Sequence, residues 1–306
     1  MQQQQECRAE RAEGISGDFE FTDDDFSRIC ALIHSHAGIH LGDTKRAMVY
    51  SRLGRRLRKL GIASFREYLD RMESGTGEEL AAFINSLTTN LTNFYREMHH
   101  FAILREFLQN GGLTRESTIW SAGCSTGEEA YSIAMVLATV LGSQAQVGQI
   151  VASDIDTSVL EHAERGVYPA ERMKNILSTD LKRFFLGGTG ENAGFVKVRP
   201  ELRRLVAFRQ INLHETGWAV REPVRVVFCR NVMIYFDAQS RRRILDRFGT
   251  LLSPGGLLFL GHSENVADMG GVFQALGRTA YVRAERRGAG QGAARARSGS
   301  GSGSDD

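Results

Sequence analysis

Residues 121–135 read SAGCSTGEEAYSIAM. The preceding Thr118–Ser121 is a short apolar run, and Glu128–Leu141 has the length and composition of a helix. Between them, the small residues Ala122, Gly123, Cys124 and Ser125 form a strand-to-helix turn where a ligand can approach the backbone closely at a helix N-terminus. The same alternation recurs downstream. Ile150–Ser153, Val206–Ile211, Val224–Cys229 and Leu257–Gly261 are further short apolar runs, most followed by polar or Gly-containing turns. A helical stretch, Ala238–Leu252, lies among them, and Phe273–Ala284 reads as a closing strand. This rhythm predicts an α/β domain with a parallel, doubly wound sheet and helices on both faces.

Upstream the pattern is helical. Phe19–Gly38 opens with Asp23, Asp24 and Asp25, where the helix dipole favours acids, and stops near Gly38. Thr44–Leu60 is amphipathic, with Val49, Leu53, Leu57 and Leu60 on one stripe and Arg52, Arg55, Arg56 and Lys59 on the next. Ser64–Glu73 and Gly77–Leu87 complete a small bundle. The expected organisation is a disordered tail over 1–17, a helical domain over 18–88, and a linker with a connecting helix over 89–117. The α/β domain then covers 118–286, and 287–306 form a flexible tail whose Gly/Ser-rich end suits a linker. Between Tyr168 and Leu205 the alternation breaks into a helical piece (Ser178–Leu186), a Gly-rich turn (Gly187 to Gly194) and the alternating run Phe195–Arg199. That stretch reads as a small β-subdomain inserted at about 170–204.

The 306 residues are 42% hydrophobic, enough for a large core, and carry 38 Lys plus Arg against 36 Asp plus Glu. A balance this close argues against a dedicated nucleic-acid coat. Cys7, Cys30, Cys124 and Cys229 form no CxxC pair and no zinc-spaced cluster with His, so free thiols in a reducing compartment are expected, and no metal. The start MQQQQECRAERAEG has no apolar segment of a secretory signal, and no run of about 18 apolar residues would insert in a membrane. The reading is a cytoplasmic monomer.

Glu128 and Glu129 open the helix after the first turn, where dinucleotide enzymes hold a pyrophosphate. Two carboxylates repel phosphate and suit a cationic ligand instead, such as the sulfonium and ammonium of S-adenosylmethionine. The same residues also suit an ordinary tight turn. The second strand ends in Ala152-Ser153-Asp154, at the separation where such folds place an acid on ribose hydroxyls; a helix N-cap is the other reading. Asn212 and Asn231 close the third and fourth strands, where ligands of open α/β sheets bind, although each also suits a turn.

Taken together, NLTNFYREMHHF (90–101), SAGCSTGEEAYSIAM (121–135), ASDIDTSVLEHAERGVY (152–168), INL (211–213), FCRNVMIYFD (228–237) and GGLLFLGHSEN (255–265) resemble the chemotaxis receptor methyltransferase family, CheR. The likeness runs over about residues 18–285 in order and spacing. It implies a helical N-terminal domain followed by a class I S-adenosylmethionine-dependent methyltransferase domain carrying an antiparallel β-subdomain. By motif it implies cofactor contacts at Asn90, Thr92, Arg96, Glu129, Asp154, Asn212, Leu213, Asn231 and Val232, with Arg96 and Tyr235 near the reacting carboxylate. The implied reaction is methyl esterification of glutamates on the cytoplasmic helical domain of a chemoreceptor, with S-adenosylhomocysteine as coproduct. The insertion's Gly-rich loop resembles the longer form found in relatives that bind a receptor's C-terminal peptide. Two departures stand out. Phe94-Tyr95-Arg96 replaces the common Phe-Phe-Arg, adding a hydroxyl, and Cys124 occupies a turn position where many relatives have small residues. The competing readings are a module that binds S-adenosylmethionine and signals without transferring, a methyltransferase acting on nucleic acid or a small molecule, and an NAD oxidoreductase. The last lacks its G-x-G-x-x-G.

Overall fold

The computed structural model describes residues 19–74, 77–266 and 271–285. The tails expected at 1–17 and 287–306, and Cys7, lie outside the described residues. The described residues begin with four α-helices: α1 (Asp23–Ala37), α2 (Arg46–Leu60), α3 (Phe65–Ser74) and α4 (Gly77–Leu87). α1 begins four residues later than Phe19 because Thr22 caps it. The Thr22 hydroxyl accepts from Asp25 N, and the Asp25 carboxylate accepts from Thr22 N at 2.9 Å. One acid of the run thus closes a capping box, and Gly38 ends the helix in the left-handed region. A separate 3-10 turn, Asp43–Lys45, precedes α2. Val49, Leu53 and Leu57 are fully buried with Ile29, Ile33, Phe65, Tyr68 and Phe83, whereas Leu60, beside the terminating Gly61, is 39% exposed.

The basic stripe on α2 is divided. Arg52 donates to the Leu87 and Thr88 carbonyls, and Arg56 pairs with Glu79, which also accepts from Tyr68 at 2.8 Å. These two arginines fasten α2 to α4, Arg52 at its end and Arg56 at its first turn, leaving Arg55 and Lys59 exposed.

After helix α5 (His99–Gln109) come β1 (Thr118–Ala122), α6 (Glu128–Leu141), β2 (Ile150–Asp154) and α7 (Thr157–Arg165). The insertion follows as β3 (Val167–Pro169), α8 (Ser178–Phe184), β4 (Phe185–Gly187), β5 (Phe195–Val198) and the short α9 (Pro200–Arg203). The chain then returns through β6 (Val206–Gln210), β7 (Val224–Cys229), α10 (Ala238–Leu251), β8 (Leu252–Leu260), β9 (Phe273–Gly277) and β10 (Ala280–Arg283). The main sheet has seven strands in the order β6-β2-β1-β7-β8-β10-β9. β6, β2, β1, β7 and β8 run parallel, and β10 is antiparallel to both β8 and β9. The closing segment is therefore a hairpin and not one strand. Gly277, Arg278 and Thr279 all adopt positive φ and fold the run back on itself.

The insertion forms its own antiparallel sheet, β3-β5-β4, beginning at Val167. Its helical piece stops at Phe184, because Phe185–Gly187 pair with β5. One apolar layer packs α5, α6 and the insertion on one face of the main sheet, and a second packs α10 on the other. Among the described residues, no helix is long and apolar enough to cross a membrane. The helical domain caps the carboxyl ends of the strands. His40 N donates to Tyr235 O at 2.8 Å, the Asn212 amide to His36 O at 2.6 Å, and the Thr88 hydroxyl to Asp156 at 2.7 Å.

Candidate active site

A cleft of about 430 Å³ lies between the helical domain and the ends of β1, β2, β6 and β7. All ten residues singled out in the sequence line it: Asn90, Thr92, Arg96, Glu129, Asp154, Asn212, Leu213, Asn231, Val232 and Tyr235. Its size suits a nucleoside-sized ligand.

The turn after β1 forms one wall. Gly123 has φ +89°, and a Cβ there would collide with Val232, so the position admits only glycine. Ser125 also has positive φ, and its backbone N donates to Asp154 Oδ2 at 2.9 Å while its hydroxyl donates to Asn90 O at 2.9 Å. Cys124 is fully buried beneath the turn and behaves there as a small hydrophobe. The two acids at the end of β2 have different surroundings. Asp156 is the N-cap of α7, accepting from Ser158 N at 2.9 Å, and it also accepts from the Asn90 amide at 2.7 Å. Asp154 has no capping role and faces the cleft. Burial pushes its carboxyl up to about 6, against the opposing pull of the Asp156 and Ser125 N–H groups.

The pair of acids opening α6 separates. Only Glu129 faces the cleft. Successive helix residues point about 100° apart, and Glu128 turns away to accept from Thr126 at 2.6 Å and pair with Arg172 of the insertion at 3.3 Å. Glu129 is itself neutralised: it accepts from Ser121 at 2.7 Å and pairs with Arg230 at 3.2 Å. Burial raises the Glu129 carboxyl and Arg230 pulls it back. Two free carboxylates awaiting a cation are thus not what the cleft presents; the lining holds Lys45, Arg96 and Arg230 against Glu129 and Asp154.

The segment after β7 forms the opposite wall. Asn231 adopts positive φ, and the buried Glu264 carboxylate holds this loop by accepting from Asn231 N at 2.9 Å and Ile234 N at 3.3 Å. Asn231 Oδ1 is buried without a partner. Asn212 behaves differently: its amide is spent on His36 O and Glu215, and its oxygen accepts from His214 N at 3.0 Å, so its side chain holds the loop together. At the mouth, Arg96 donates to Leu91 O at 3.0 Å and the Tyr235 hydroxyl lies 3.4 Å from Thr89 O. Burial raises the Tyr235 hydroxyl above its ordinary value, keeping it a neutral donor. Four of the non-glycine residues with positive φ (Tyr95, Glu97, Ser125, Asn231) belong to the segments that build this cleft, where strained backbone commonly collects.

Three contributors escaped the sequence reading. Arg230 bridges Glu129 and Glu97 and donates to Arg96 O. Glu264 sits in a quoted motif, but nothing in spacing marks it as the anchor of a loop thirty residues earlier. Glu97 lies with His99 and His100 in a group whose ligand atoms fall within 4.8 Å of one another. Both imidazoles place Nε2 on Arg278 O, and Arg230 stands 3.5 Å from Glu97, opposing a cation there. For a ligand with ribose hydroxyls and an amino group, by contrast, the cleft fits. It offers a buried carboxylate at Asp154, an unpartnered acceptor at Asn231 Oδ1, and a glycine wall at Gly123.

The family described as CheR methyltransferase, SAM binding domain, matches residues 90–282, and the family described as CheR methyltransferase, all-alpha domain, matches residues 24–88. The chain is 48% identical over 265 residues to chemotaxis protein methyltransferase 2 of Pseudomonas aeruginosa, covering 86% of this chain and 94% of that one. It is 50% identical over 261 residues to the chemotaxis protein methyltransferase of Klebsiella aerogenes (85% and 89% covered) and 49% identical over 261 residues to that of Escherichia coli (85% and 91% covered).

Proposed function

Because the chain belongs to the CheR methyltransferase family, we propose that it transfers the methyl group of S-adenosylmethionine to glutamate side chains on the cytoplasmic helical domain of a bacterial chemoreceptor, forming methyl esters. The observation that carries this reading is the convergence of ten residues from the linker and the α/β domain on one cleft, with Arg96 and Tyr235 at its mouth. A module that binds the cofactor without transferring it has no need of that pair.

When bound, S-adenosylmethionine supplies a methyl group on a positively charged sulfur. Glutamate, with an ordinary pKa of about 4.3, is already ionised at neutral pH, so this chain supplies no general base and the chemistry asks for no Lewis acid. What the residues contribute is orientation, worth roughly 7–11 kcal/mol in well-aligned systems. Asp154 and Asn231 hold the nucleoside, and the small-residue turn lets it approach the backbone. Charge disappears as sulfonium and carboxylate become thioether and ester, so a strong cation at the reacting oxygens stabilises the ground state more than the transition state. Arg96 therefore positions a carboxylate, and Tyr235 donates one neutral hydrogen bond. Arg96→Ala should raise KM and lower kcat together, reducing kcat/KM on the order of 10–100-fold, the worth of one charged hydrogen bond. A fall in kcat at unchanged KM would contradict a positioning role.

The insertion presents β4 at the edge of its sheet, with Leu186 and Phe195 about half exposed. This arrangement supports capture of a receptor's C-terminal peptide as an added strand, which raises the effective concentration of the target without altering the chemistry. Calorimetric titration with receptor tail peptides should give a saturable heat; its absence removes the tether.

The reaction itself is tested by transfer of labelled methyl to purified chemoreceptor membranes. Label released by mild base is the expected result, since carboxyl esters hydrolyse there. Label that resists base would place the methyl on nitrogen or sulfur and overturn the proposal.

A further inference from the structure

A second cavity, of about 400 Å³, opens at the far end of α6, where the insertion meets the main domain. Its lining residue Ala138 lies on α6 nine positions beyond Glu129, about 14 Å at the helical rise, and it shares no lining residue with the cofactor cleft. Four cations line it: Lys182 and Arg183 from α8, Arg199 from the end of β5, and Arg204 after α9. Glu201 is the acid of the lining, and Leu202 is a buried apolar contributor.

Among the described residues, none of the four cations lies within ion-pair distance of a carboxylate. The Arg199 Nε is buried with no hydrogen-bond partner, although its guanidinium also reaches Lys182 O at 3.4 Å. Buried donors are ordinarily satisfied, and gathering four like charges on one concave surface costs Coulomb energy unless an anion offsets it. Arginine forks match phosphate oxygens two at a time, and a compact lysine adds a point charge. An apolar contributor beside them suits a ligand with a non-polar part.

We propose that this cavity is a binding site for a small polyanion carrying two or more phosphates. Because its cations come from α8, β5 and the segment after α9, while Ala138 and Gly142 belong to the end of α6, an occupant clamps the insertion against the main domain. The site takes a ligand chemically opposite to the sulfonium cofactor, and its occupancy is independent of methyl transfer.

The test uses the full chain saturated with S-adenosylhomocysteine, so that the cofactor cleft is closed to competitors, and titrates inorganic pyrophosphate and ADP in parallel by calorimetry. Saturable binding of at least one is expected; tighter ADP binding assigns the apolar wall to a base, and equal binding assigns the site to the phosphate chain alone. Arg199→Gln combined with Arg204→Gln should weaken binding at least ~10-fold while leaving S-adenosylhomocysteine affinity unchanged. The exposed pair Lys182→Gln and Arg183→Gln, which risks no core packing, should weaken it in the same direction. No saturable binding by either probe, or binding that neither double variant diminishes, overturns the proposal.

Discussion

Asp154→Ala is expected to weaken S-adenosylhomocysteine binding at least ~100-fold while shifting the melting temperature little. A carboxylate accepting from two ribose hydroxyls makes charge-assisted hydrogen bonds of roughly 1.5–3 kcal/mol each. The protein does not rely on this charge for its fold, because burial raises the carboxyl to about 6. A carboxyl whose folded-state pKa lies above its unfolded value contributes stability that is full below the unfolded pKa and is lost as pH rises through the folded one. At neutral pH the buried charge therefore costs the fold something, and removing it offsets the loss of an acceptor for Ser125 N and Asp156 N. The same linkage gives the ligand a pH signature. Ribose hydroxyls donate to the carboxylate form, so affinity should climb as pH rises through about 6 and level off above it, and Asp154→Ala should flatten that climb. Calorimetry from about pH 5 to about pH 8 reads both effects. A variant that binds within a few-fold of the parent, or a parent whose affinity ignores pH over this window, would sink the assignment.

The placement of Asp154 in the cleft was legible because strand-end acids in α/β folds have a short list of uses, and the neighbouring Asp156 takes the capping role that made its reading ambiguous. The sheet was legible for the same local reason: its strands are short apolar runs set between punctuating turns. What escaped was information carried by direction and long-range pairing. Two glutamates adjacent in sequence look like one acidic feature, yet the helix sends Glu128 to Arg172 and Glu129 to Arg230. Arg52 and Arg55 look equivalent on a helical wheel, yet one meets carbonyls at the end of α4 and the other meets solvent. The closing hairpin hid because its turn is Gly277-Arg278-Thr279, where two non-glycine residues take positive φ, and nothing in their composition announces that.

Arg230→Met is expected to cost about 3–5 kcal/mol of stability, a large share of the roughly 5–15 kcal/mol available to a folded domain. The Arg230 side chain is 1% exposed and meets two carboxylates, Glu129 at 3.2 Å and Glu97 at 3.5 Å. It also lies over the Phe101 ring at 5.6 Å and donates to Arg96 O. Methionine keeps most of the volume, so the loss comes from stranding two acids without a cation rather than from a cavity. Burial already raises the Glu129 carboxyl; without Arg230 the largest opposing pull is lost, leaving the Ser121 hydrogen bond and Arg96 against it. The variant's deficit should then widen as pH rises from about 5 to about 8, since a raised carboxyl favours the fold only while protonated. Glu129→Gln in the Arg230→Met background should recover part of the loss, because it removes one of the stranded charges. Activity should fall further than stability alone explains, since Arg230 ties the turn bearing Arg96 to the end of β7. Chemical denaturation of the two single variants and the double variant decides it: a loss below ~1 kcal/mol for Arg230→Met, or no recovery in the double variant, would show that the connector is held by packing and that this ion pair is incidental to it.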